Sequence, residues 1–393
     1  MFFYFYILVS WILYIVAIPF LIFLSFKDKY KESIKSRFFL YKNPPFSKED
    51  GIWLHMCSFG EVRGAKTFID KISKDKLRLS VITQTGFSLI KNITKESRYL
   101  PFEPLLLFWM KPQKALIVFE AELWYLLFAL AKRKGAKTFL VNARISEYSY
   151  PRYKKFAWFY KKVFENIDYI YAQSRMDKIR LKSLGAKNVK IAGNIKFASL
   201  PKPTKKLIKE TSPVICAAST HEGEEGIILK AFREFKIRYP DAQLIIVPRH
   251  PERFNKVDKL IAPYAKLHNW SYLKYSQSHR LRSEVILVDK MGELINIYPI
   301  CDIVIMGGTF IDGVGGHNVA EAAQFNLKII SGKYFFNQKE IYRWIDGIKI
   351  VNNERELIDA LKYPKLIPNS KIEAKIADID KIVKEIENVL QDR

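Results

Sequence analysis

The sequence predicts an α/β protein with two domains of parallel β-sheet behind an apolar N-terminal helix. Three observations support this prediction. The chain has 393 residues, which suits two domains of about 150–200 residues better than one core. Its first 26 residues carry no charged side chain. Beyond residue 50, short apolar runs alternate with longer amphipathic ones, a pattern typical of parallel α/β units.

The apolar segment 1–26 predicts a membrane anchor, since about 20 residues of helix cross a bilayer core of about 30 Å. Lys27 begins a basic flank, which favours the cytoplasm for that end. A cleaved signal peptide fits badly, because no basic region precedes the apolar run and no small-residue cleavage site follows it. The aromatic residues 2–6 suit the opposite interface. A helix that enters only one leaflet is the alternative.

Apolar runs mark the strands of both domains. In the first half they are residues 52–57, 79–83, 115–119 and 138–142. In the second half they are residues 214–218, 244–248, 285–288, 303–307 and 328–331. Prolines and lysines without periodicity mark a linker between the halves. The predicted boundaries are an anchor at 1–26, a first domain at 27–200, a linker at 201–212, a second domain at 213–370 and a C-terminal helix at 371–393.

The composition restricts the class of partner and the compartment. The net charge of +25 favours an anionic partner, such as nucleic acid, acidic lipid or a phosphorylated substrate. A general excess of solvated lysines is the alternative. The three cysteines, Cys57, Cys216 and Cys301, are scattered, so neither a disulfide framework nor a cysteine-rich metal site is indicated. Free thiols fit a reducing cytoplasm.

Ligands of open α/β sheets bind at the carboxyl ends of the strands, and carboxylates follow two strands of the first half. Glu61 comes just after the first strand, at a predicted helix N-terminus. It is interpreted either as a general base or as a helix cap. Glu120 and Glu122 follow the third strand; one is expected to face a cleft and the other to meet a backbone or basic partner. Lys196 is a candidate ligand of a phosphate or carboxylate, or an ordinary ion-pair partner.

Strand ends of the second half carry residues suited to an anion. Ser219 and Thr220 precede a glycine and a predicted helix, as in an anion cradle or a capping box. His250 lies between two prolines and two arginines, and metal binding there is not expected, because no histidine sits at ligand spacing nearby. Gly315 and Gly316 open another predicted helix. The chain contains neither GxGxxG nor GxxxxGK[ST], which disfavours dinucleotide and ATP binding.

In their order along the chain, these motifs resemble those of the bacterial 3-deoxy-D-manno-octulosonic acid (Kdo) transferases. The resemblance covers nearly the whole chain. The matching motifs are SFGEV at 58–62, EAELW at 120–124, NARISE at 142–147, GNIKF at 193–197, ASTHEGEE at 218–225, PRHPERF at 248–254, MGEL at 291–294 and GGHNxxE at 315–321. Departures from the family pattern are Ala121, Tyr125, Tyr148, Ala198, Ala320 and Ala322.

The resemblance implies a GT-B fold of two facing Rossmann-like domains and transfer of Kdo from CMP-Kdo to a lipid A precursor (lipid IVA). It also implies the roles of the matching residues. Glu61 matches the general base, and Glu122 and Lys196 match positions assigned to transition-state stabilisation. The residues expected at CMP-Kdo, from the anion-site patterns and the resemblance together, are Ser219, Thr220, Pro248, Arg249, His250, Met291, Gly292, Glu293, Gly315, Gly316, Asn318 and Glu321.

The function expected from the sequence is therefore an inverting glycosyltransferase of lipopolysaccharide biosynthesis. We expect it on the cytoplasmic side of the bacterial inner membrane, beside anionic lipids, without nucleic acid, metal or other cofactor. One alternative is a membrane-associated GT-B enzyme with a UDP-sugar donor. The other is a non-enzymatic basic adaptor for membrane or nucleic acid, which would show charge clusters with exposed aromatics rather than carboxylates at successive strand ends.

Overall fold

The structure is a computed structural model that describes residues 1–28, 30–198, 200–278 and 281–391. The chain divides into two compact units. The first comprises Met1–Ser199 and Ala374–Arg393, and the second comprises Leu200–Glu373. Each unit contains a seven-stranded sheet whose strands are all parallel. The predicted α/β class, with two Rossmann-like sheets and an apolar N-terminal helix, is confirmed.

The sheet of the first unit has the order β3-β2-β1-β4-β5-β6-β7. Its strands are β1 (Ile52–His55), β2 (Leu77–Val81), β3 (Ser97–Tyr99), β4 (Ala115–Phe119), β5 (Lys137–Ala143), β6 (Tyr169–Ala172) and β7 (Val189–Ile191). All five residues of β4 are buried. Leu116 and Val118 belong to the core on one face of the sheet, and Ile117 and Phe119 belong to the core on the other. Burial on both faces explains the continuous apolar run.

Helices cover the sheet of the first unit. They are α1 (Phe2–Leu24), α2 (Lys31–Phe38), α3 (Phe59–Gly64), α4 (Lys66–Asp70), α5 (Gln84–Ile90), α6 (Leu106–Trp109), α7 (Tyr125–Arg133), α8 (Tyr150–Lys155), α9 (Ala157–Phe164), α10 (Arg175–Ser183) and α11 (Ile195–Ala198). By length and composition, α1 is apolar enough to cross a membrane.

The sheet of the second unit has the order β10-β11-β9-β8-β12-β13-β15. Its strands are β8 (Val214–Thr220), β9 (Gln243–Pro248), β10 (Tyr272–Lys274), β11 (Val285–Leu287), β12 (Ile303–Met306), β13 (Lys328–Gly332) and β15 (Ile348–Val351). The helices are α12 (Glu224–Arg238), α13 (Phe254–Leu267), α14 (Leu294–Ile297), α15 (Ala320–Ala323), α16 (Lys339–Tyr342) and α17 (Glu354–Lys362). A separate antiparallel pair joins β14 (Ile345–Asp346) to β16 (Lys371–Ile372).

The end of the chain returns to the first unit. The helical pattern of residues 371–390 is realised only as α18 (Ile379–Gln391), because Lys371 and Ile372 form β16. Ile379, Ile382 and Ile386 of α18 are buried in a core of the first unit. The C-terminal helix therefore completes that unit.

The strand orders place a topological switch point in each unit. In the first unit it lies between β1 and β4, where the connections from the two strands leave in opposite directions along the sheet. In the second unit it lies between β8 and β12. Open α/β sheets bind ligands at the carboxyl ends of strands at such points. The motifs around Glu61 and Glu122 follow β1 and β4, and those around Thr220 and His317 follow β8 and β12.

Candidate active site

Glu61 lies in the first turn of α3, immediately beyond β1. Its Oε2 accepts a hydrogen bond from the backbone N–H of Cys57 at 2.8 Å. The Ser58 hydroxyl donates to its Oε1 at 3.3 Å. The side chain therefore makes the contact of a helix cap while it sits at the switch point where a base is expected. The two interpretations of Glu61 are compatible.

The two carboxylates after β4 have different partners. Glu122 Oε2 accepts a hydrogen bond from the indole N–H of Trp124 at 2.6 Å. Glu120 Oε1 lies 2.5 Å from the Nζ atom of Lys196. Glu120 adopts a φ of +64°, a region that non-glycine residues rarely occupy. This conformation turns two carboxylates only two residues apart toward different groups, as the sequence pattern led us to expect.

Lys196 reaches Glu120 from the short helix α11 across a glycine. A Cβ atom built on Gly64 of α3 would lie 2.6 Å from Cγ of Lys196. Glycine at this position therefore makes room for the lysine stem. Asn142, at the end of β5, accepts a hydrogen bond from the backbone N–H of Ile195 at 2.9 Å and so fixes the start of α11.

The surroundings of Glu61 raise its pKa to about 8, mainly through burial and then through the negative charge of Glu120. The hydrogen bond from Cys57 and the positive charge of Lys196 act in the opposite direction. A carboxyl group with this pKa is partly ionised near neutral pH and binds a proton firmly once it has taken one. Those properties suit a general base that works near neutral pH.

One group of side chains in the first unit could hold a metal ion. The thiol of Cys57 and the carboxylates of Glu61 and Glu122 place one potential ligand atom each within 4.8 Å of the others. All three residues are partly buried. The mixture of a thiol with two carboxylates would suit zinc better than magnesium, and three protein ligands are the number found in catalytic zinc sites.

At the switch point of the second unit, a carboxylate of the protein occupies a nest of backbone amides. Glu224 Oε2 accepts from the N–H groups of Gly308 at 2.8 Å and His221 at 2.9 Å. Its Oε1 accepts from Thr309 at 3.1 Å and Phe310 at 3.0 Å. The anion in this nest, whose geometry would suit a phosphate, is thus a fully buried side chain of α12.

Ser219 and Thr220 lie at the end of β8, where the sequence predicted an anion cradle. Thr220 is fully buried, and its hydroxyl donates to Oε1 of Glu225 at 2.8 Å. Glu225 is in turn held by two N–H groups of Arg253, at 2.8 and 3.0 Å. In this structure Thr220 supports the turn through Glu225, whereas Ser219 is buried beside it with 9% exposure and a φ of +56°.

Three histidines converge beside this turn. The Nε2 atoms of His221 and His317 lie 2.8 Å apart, and their rings are stacked with centroids 5.0 Å apart. The ring of His250 meets that of His221 edge to face at 5.3 Å. Burial and the neighbouring histidines lower the pKa of His317 to about 4. The close pair is therefore neutral at pH 7, with one ring donating to the other.

The remaining residues expected at the donor divide into exposed and enclosed groups. Pro248 is buried at the end of β9, and Arg249 and His250 follow it exposed. Gly315 and Gly316 have φ values of +85° and +83°, which only glycine adopts readily. The hydrogen bonds of this turn include Gly316 N–H to Gly308 O at 2.8 Å and Asn337 N–H to Gly315 O at 3.1 Å. The amide of Asn318 donates to Oε1 of Glu321 at 3.3 Å.

The Met-Gly-Glu motif also combines an exposed and an enclosed part. Met291 is 51% exposed, and Gly292 has a φ of +81°. Glu293 is buried and pairs with Lys205 at 2.7 Å. Asn296 donates to the same carboxylate at 3.0 Å. The carboxylate of Glu293 is thus already held by its own unit.

The structure brings Glu61 and Glu122 together with Cys57, and Lys196 with Glu120. In the second unit it gathers His250 with His221 and His317 beside the turns after β8 and β12. Sequence reasoning missed the parts played by Gly64, His221, Glu224 and His317, and it did not identify Lys196 as the partner of Glu120. Each of them stands within four residues of a predicted site residue in the sequence. That proximity does not show which group the side chain contacts.

Comparison with known proteins relates the sequence of this chain to one family. The sequence profile described as "3-Deoxy-D-manno-octulosonic-acid transferase (kdotransferase)" matches residues 32–199. The 3-deoxy-D-manno-octulosonic acid transferase of Haemophilus influenzae is 32% identical over 358 residues, which cover 85% of this chain and 82% of the relative. The protein of the same description from Aquifex aeolicus is 32% identical over 324 residues, covering 79% and 84%.

Other similar proteins differ in length. A bifunctional glycosyltransferase/methyltransferase of Fusobacterium nucleatum is 36% identical over 346 residues, 80% of this chain, and the match spans about half (52%) of that relative. Among solved structures, the C-terminal CMP-Kdo binding domain of WaaA from Acinetobacter baumannii aligns with 26% identity and a TM-score of 0.35, covering 46% of this chain and 91% of that domain. Identity above 30% across most of the Haemophilus and Aquifex proteins is decisive: the chain belongs to the 3-deoxy-D-manno-octulosonic acid transferase family.

Proposed function

We propose that the chain transfers Kdo from CMP-Kdo to a sugar hydroxyl of a lipid A precursor, with inversion at the anomeric carbon. In this reaction Glu61 takes the proton of the acceptor hydroxyl, whose oxygen forms a bond to the anomeric carbon. The bond to CMP breaks, and CMP leaves with the electron pair. A single base without a second nucleophile gives one displacement and therefore one inversion.

The observation that carries this proposal is the setting of Glu61. Its carboxylate lies at a switch point, one of its oxygens is fixed by Cys57 N–H, and its pKa is raised to about 8. A side chain that only capped α3 would gain nothing from such a pKa, because a cap is stronger when the carboxylate is ionised. The raised pKa has a use in proton transfer.

The other residues are assigned by charge and position. Lys196 and Glu122, in the first unit, stabilise the charge that develops in the transition state of the transfer. In the second unit, Arg249 and His250 are exposed beside the amide-rich turns and bind the phosphate or the Kdo carboxylate. The further residues assigned to CMP-Kdo binding are Ser219, Thr220, Pro248, Met291, Gly292, Glu293, Gly315, Gly316, Asn318 and Glu321. Thr220 and Glu293 contribute by holding their turns, because protein groups already occupy their polar atoms.

The proposal extends to location and cofactors. The net charge of +25 and the apolar helix α1 support work on the cytoplasmic face of the inner membrane, next to anionic lipids. We further propose that the reaction needs no metal, because lysine, arginine and backbone amides can offset the charge of the departing CMP. The competing donor is a UDP-sugar, which a related GT-B enzyme would use at the same surface.

The experiment that tests this function combines donor choice with a base variant. The full chain is incubated with lipid IVA and either CMP-Kdo or UDP-sugars, and the lipid product is weighed by mass spectrometry. We expect a Kdo adduct with CMP-Kdo alone. Glu61→Gln should lower turnover by about 10²-fold or more, whereas the matched exchange Glu387→Gln, on the exposed side of α18, should leave it unchanged. Near-normal turnover of a folded Glu61→Gln protein would refute the base assignment.

A further inference from the structure

Helix α1 is partly or fully buried along one face, with Ser10, Tyr14 and Leu21 as its buried residues. The side chains turned toward the first unit recur every three or four residues, which is the spacing of one helical face. They are Phe3, Ile7, Ser10, Tyr14, Ala17, Leu21 and Ser25. At about 1.5 Å per residue, the 23-residue helix lies against the unit for about 34 Å. A helix that crossed a bilayer away from its domain would contact that domain at one end only.

The N-terminal end of α1 is firmly attached to the first unit. The hydroxyl of Tyr6 donates to Oε2 of the buried Glu103 at 2.6 Å. The ring of Phe2 packs on the edge of Tyr125 at 5.0 Å. The guanidinium of Arg133 lies 3.7 Å from the centre of the Phe3 ring. Aromatic residues expected at the far interface of a spanning helix are thus bound to the domain itself.

The middle and the C-terminal end of α1 make equivalent contacts. Tyr14 donates from its hydroxyl to the backbone oxygen of Phe38, and its ring lies 5.8 Å from that of Phe102. Leu21 is buried with Ile34 of α2 in one small apolar cluster. Detaching the helix to let it span a bilayer would break this series of contacts. It would also leave the buried Glu103 carboxyl group without its tyrosine partner, which is unfavourable.

The opposite face of α1 is apolar and exposed, and neighbouring elements extend it. Its exposed large side chains are Tyr4, Phe5, Leu8, Ile12, Leu13, Ile15, Val16, Phe20, Ile22 and Phe23. Phe108 of α6, 77% exposed, lies beside Trp11 with ring centroids 6.3 Å apart. Trp158 of α9, 63% exposed, lies beside Phe2 at 6.2 Å. A continuous apolar surface of this size marks an interaction site.

We propose that α1 is an in-plane helix, which lies parallel to the membrane and places this apolar surface in a single leaflet. In an ordinary interfacial helix, the face turned away from the lipid is polar. In α1, that face is covered by the first unit instead. Both ends of α1 are then on the side of the first unit, and Phe108 and Trp158 enter the lipid with it. This inference does not depend on the proposed reaction, because it concerns only how the chain meets the bilayer.

The charges around the apolar surface favour an anionic leaflet as its occupant. Arg133 is exposed where it stacks on Phe3, and Lys27 lies 5.4 Å from the ring of Phe23 at the other end of the helix. Arg152, Lys154 and Lys155 are exposed on α8, which precedes Trp158. Each basic side chain near an anionic surface strengthens binding to that surface. A second copy of the chain would bring an identical basic border to this surface, and the like charges would repel each other.

The first test reads the side of the membrane on which α1 begins. A short hydrophilic tag is placed before Met1 of the full chain, and the same tag is placed at the C-terminus as a reference for the side of the domains. Protease is added to intact spheroplasts or to inverted inner-membrane vesicles. We expect both tags to be cleaved only in inverted vesicles. Cleavage of the N-terminal tag in spheroplasts, with the C-terminal tag protected, would overturn the proposal in favour of a spanning helix.

The second test asks whether residues outside α1 contact lipid. Sedimentation with vesicles of phosphatidylglycerol and phosphatidylethanolamine is compared for the unchanged chain, Phe108→Ser, Trp158→Ser and the control Ile237→Ser. Ile237 is 73% exposed on α12 of the second unit. We expect the first two variants to bind about fivefold or more weakly, the scale set by removing a large apolar side chain from lipid, and the control to bind normally. Unchanged binding by both variants, or a stable dimer that ignores vesicles, would contradict the in-plane arrangement.

Discussion

The Nζ atom of Lys196 lies 2.5 Å from Oε1 of Glu120, and both side chains are four-fifths buried. Burial raises the pKa of Glu61 most; Glu120 raises it further, and Lys196 lowers it. The protonation of the proposed base therefore depends in part on two residues that the sequence analysis did not assign to each other.

The pH dependence of turnover follows from this arrangement. A general base works only when it is unprotonated, and the pKa of Glu61 is raised to about 8. We expect kcat/KM to rise with pH up to about pH 8 and to fall about tenfold per pH unit below that value. Initial rates from about pH 4 to 9.5 measure the profile. An acid limb near pH 4.5, the ordinary pKa of a glutamate, would contradict the raised pKa of the proposed base.

Replacement of Glu120 should move that limb. Glu120→Gln removes the negative charge that raises the pKa of Glu61 and frees Lys196, whose positive charge lowers it. Both changes favour the ionised form of Glu61, so we expect the acid limb to shift to lower pH. The control is Glu165→Gln, which breaks an exposed ion pair with Lys162 and should leave the limb in place. A shift to higher pH in Glu120→Gln would contradict this account.

Gly64 offers a test of how Lys196 is positioned. A Cβ at Gly64 would approach Cγ of Lys196 to 2.6 Å, so Gly64→Ala should displace the lysine stem. We expect turnover to fall by about tenfold to 10²-fold, with a melting temperature no lower than that of the unchanged chain, because alanine is the better helix former. Gly226→Ala, in open space on α12, is the control and should keep full turnover. Equal activity of the two variants would mean that the lysine position is not critical.

Glu224 should matter for stability because its two oxygens accept four backbone N–H groups. Glu224→Gln turns an amide NH₂ toward some of those donors. We expect the free energy of unfolding to fall by about 1–3 kcal/mol, measured by urea denaturation. Glu222→Gln, whose exposed partner is Lys256, should leave it essentially unchanged. Equal effects of the two substitutions would show that the amide nest is not a stabilising feature.

The thiol of Cys57 and the carboxylates of Glu61 and Glu122 could hold a metal ion. The proposed independence from metal therefore needs a direct test. We expect turnover to survive incubation with EDTA and removal of the chelator. Addition of Zn²⁺ should not increase it, because a bound ion would occupy the carboxylate that must accept a proton. Turnover that EDTA abolishes and Zn²⁺ restores would assign a metal to this group and remove Glu61 as a free base.

Sequence patterning predicted the central strands well, since β1, β4, β8 and β12 are continuous apolar runs buried on both faces of their sheets. It missed β3 and β7, at the edges of the first sheet, and β6, which lies beside β7. It also missed β10 and β15, at the edges of the second sheet. These strands have only three or four residues, and none is buried throughout. An edge strand packs against fewer neighbours, so its composition carries less of the periodic signal.

The site was predictable in its position and less so in its contacts. Chemistry-bearing residues were expected after strands, and they lie there. The pairing of Glu120 with Lys196 could not be predicted, because it depends on a positive φ and on a glycine in another helix. The turn directly after β12 was not assigned an anion, and its amides bind the carboxylate of Glu224. A sequence pattern does not say which anion of the protein can reach such a nest.

The occupied nest has a consequence for ligand binding. Gly308, Thr309 and Phe310 donate their amide hydrogens to Glu224, a side chain of the same unit. The turn is therefore formed in advance, and a donor that arrives beside it loses less entropy on binding than it would by ordering a loose loop. In deuterated water these amide hydrogens should exchange slowly in the free enzyme, as they would in a structured core.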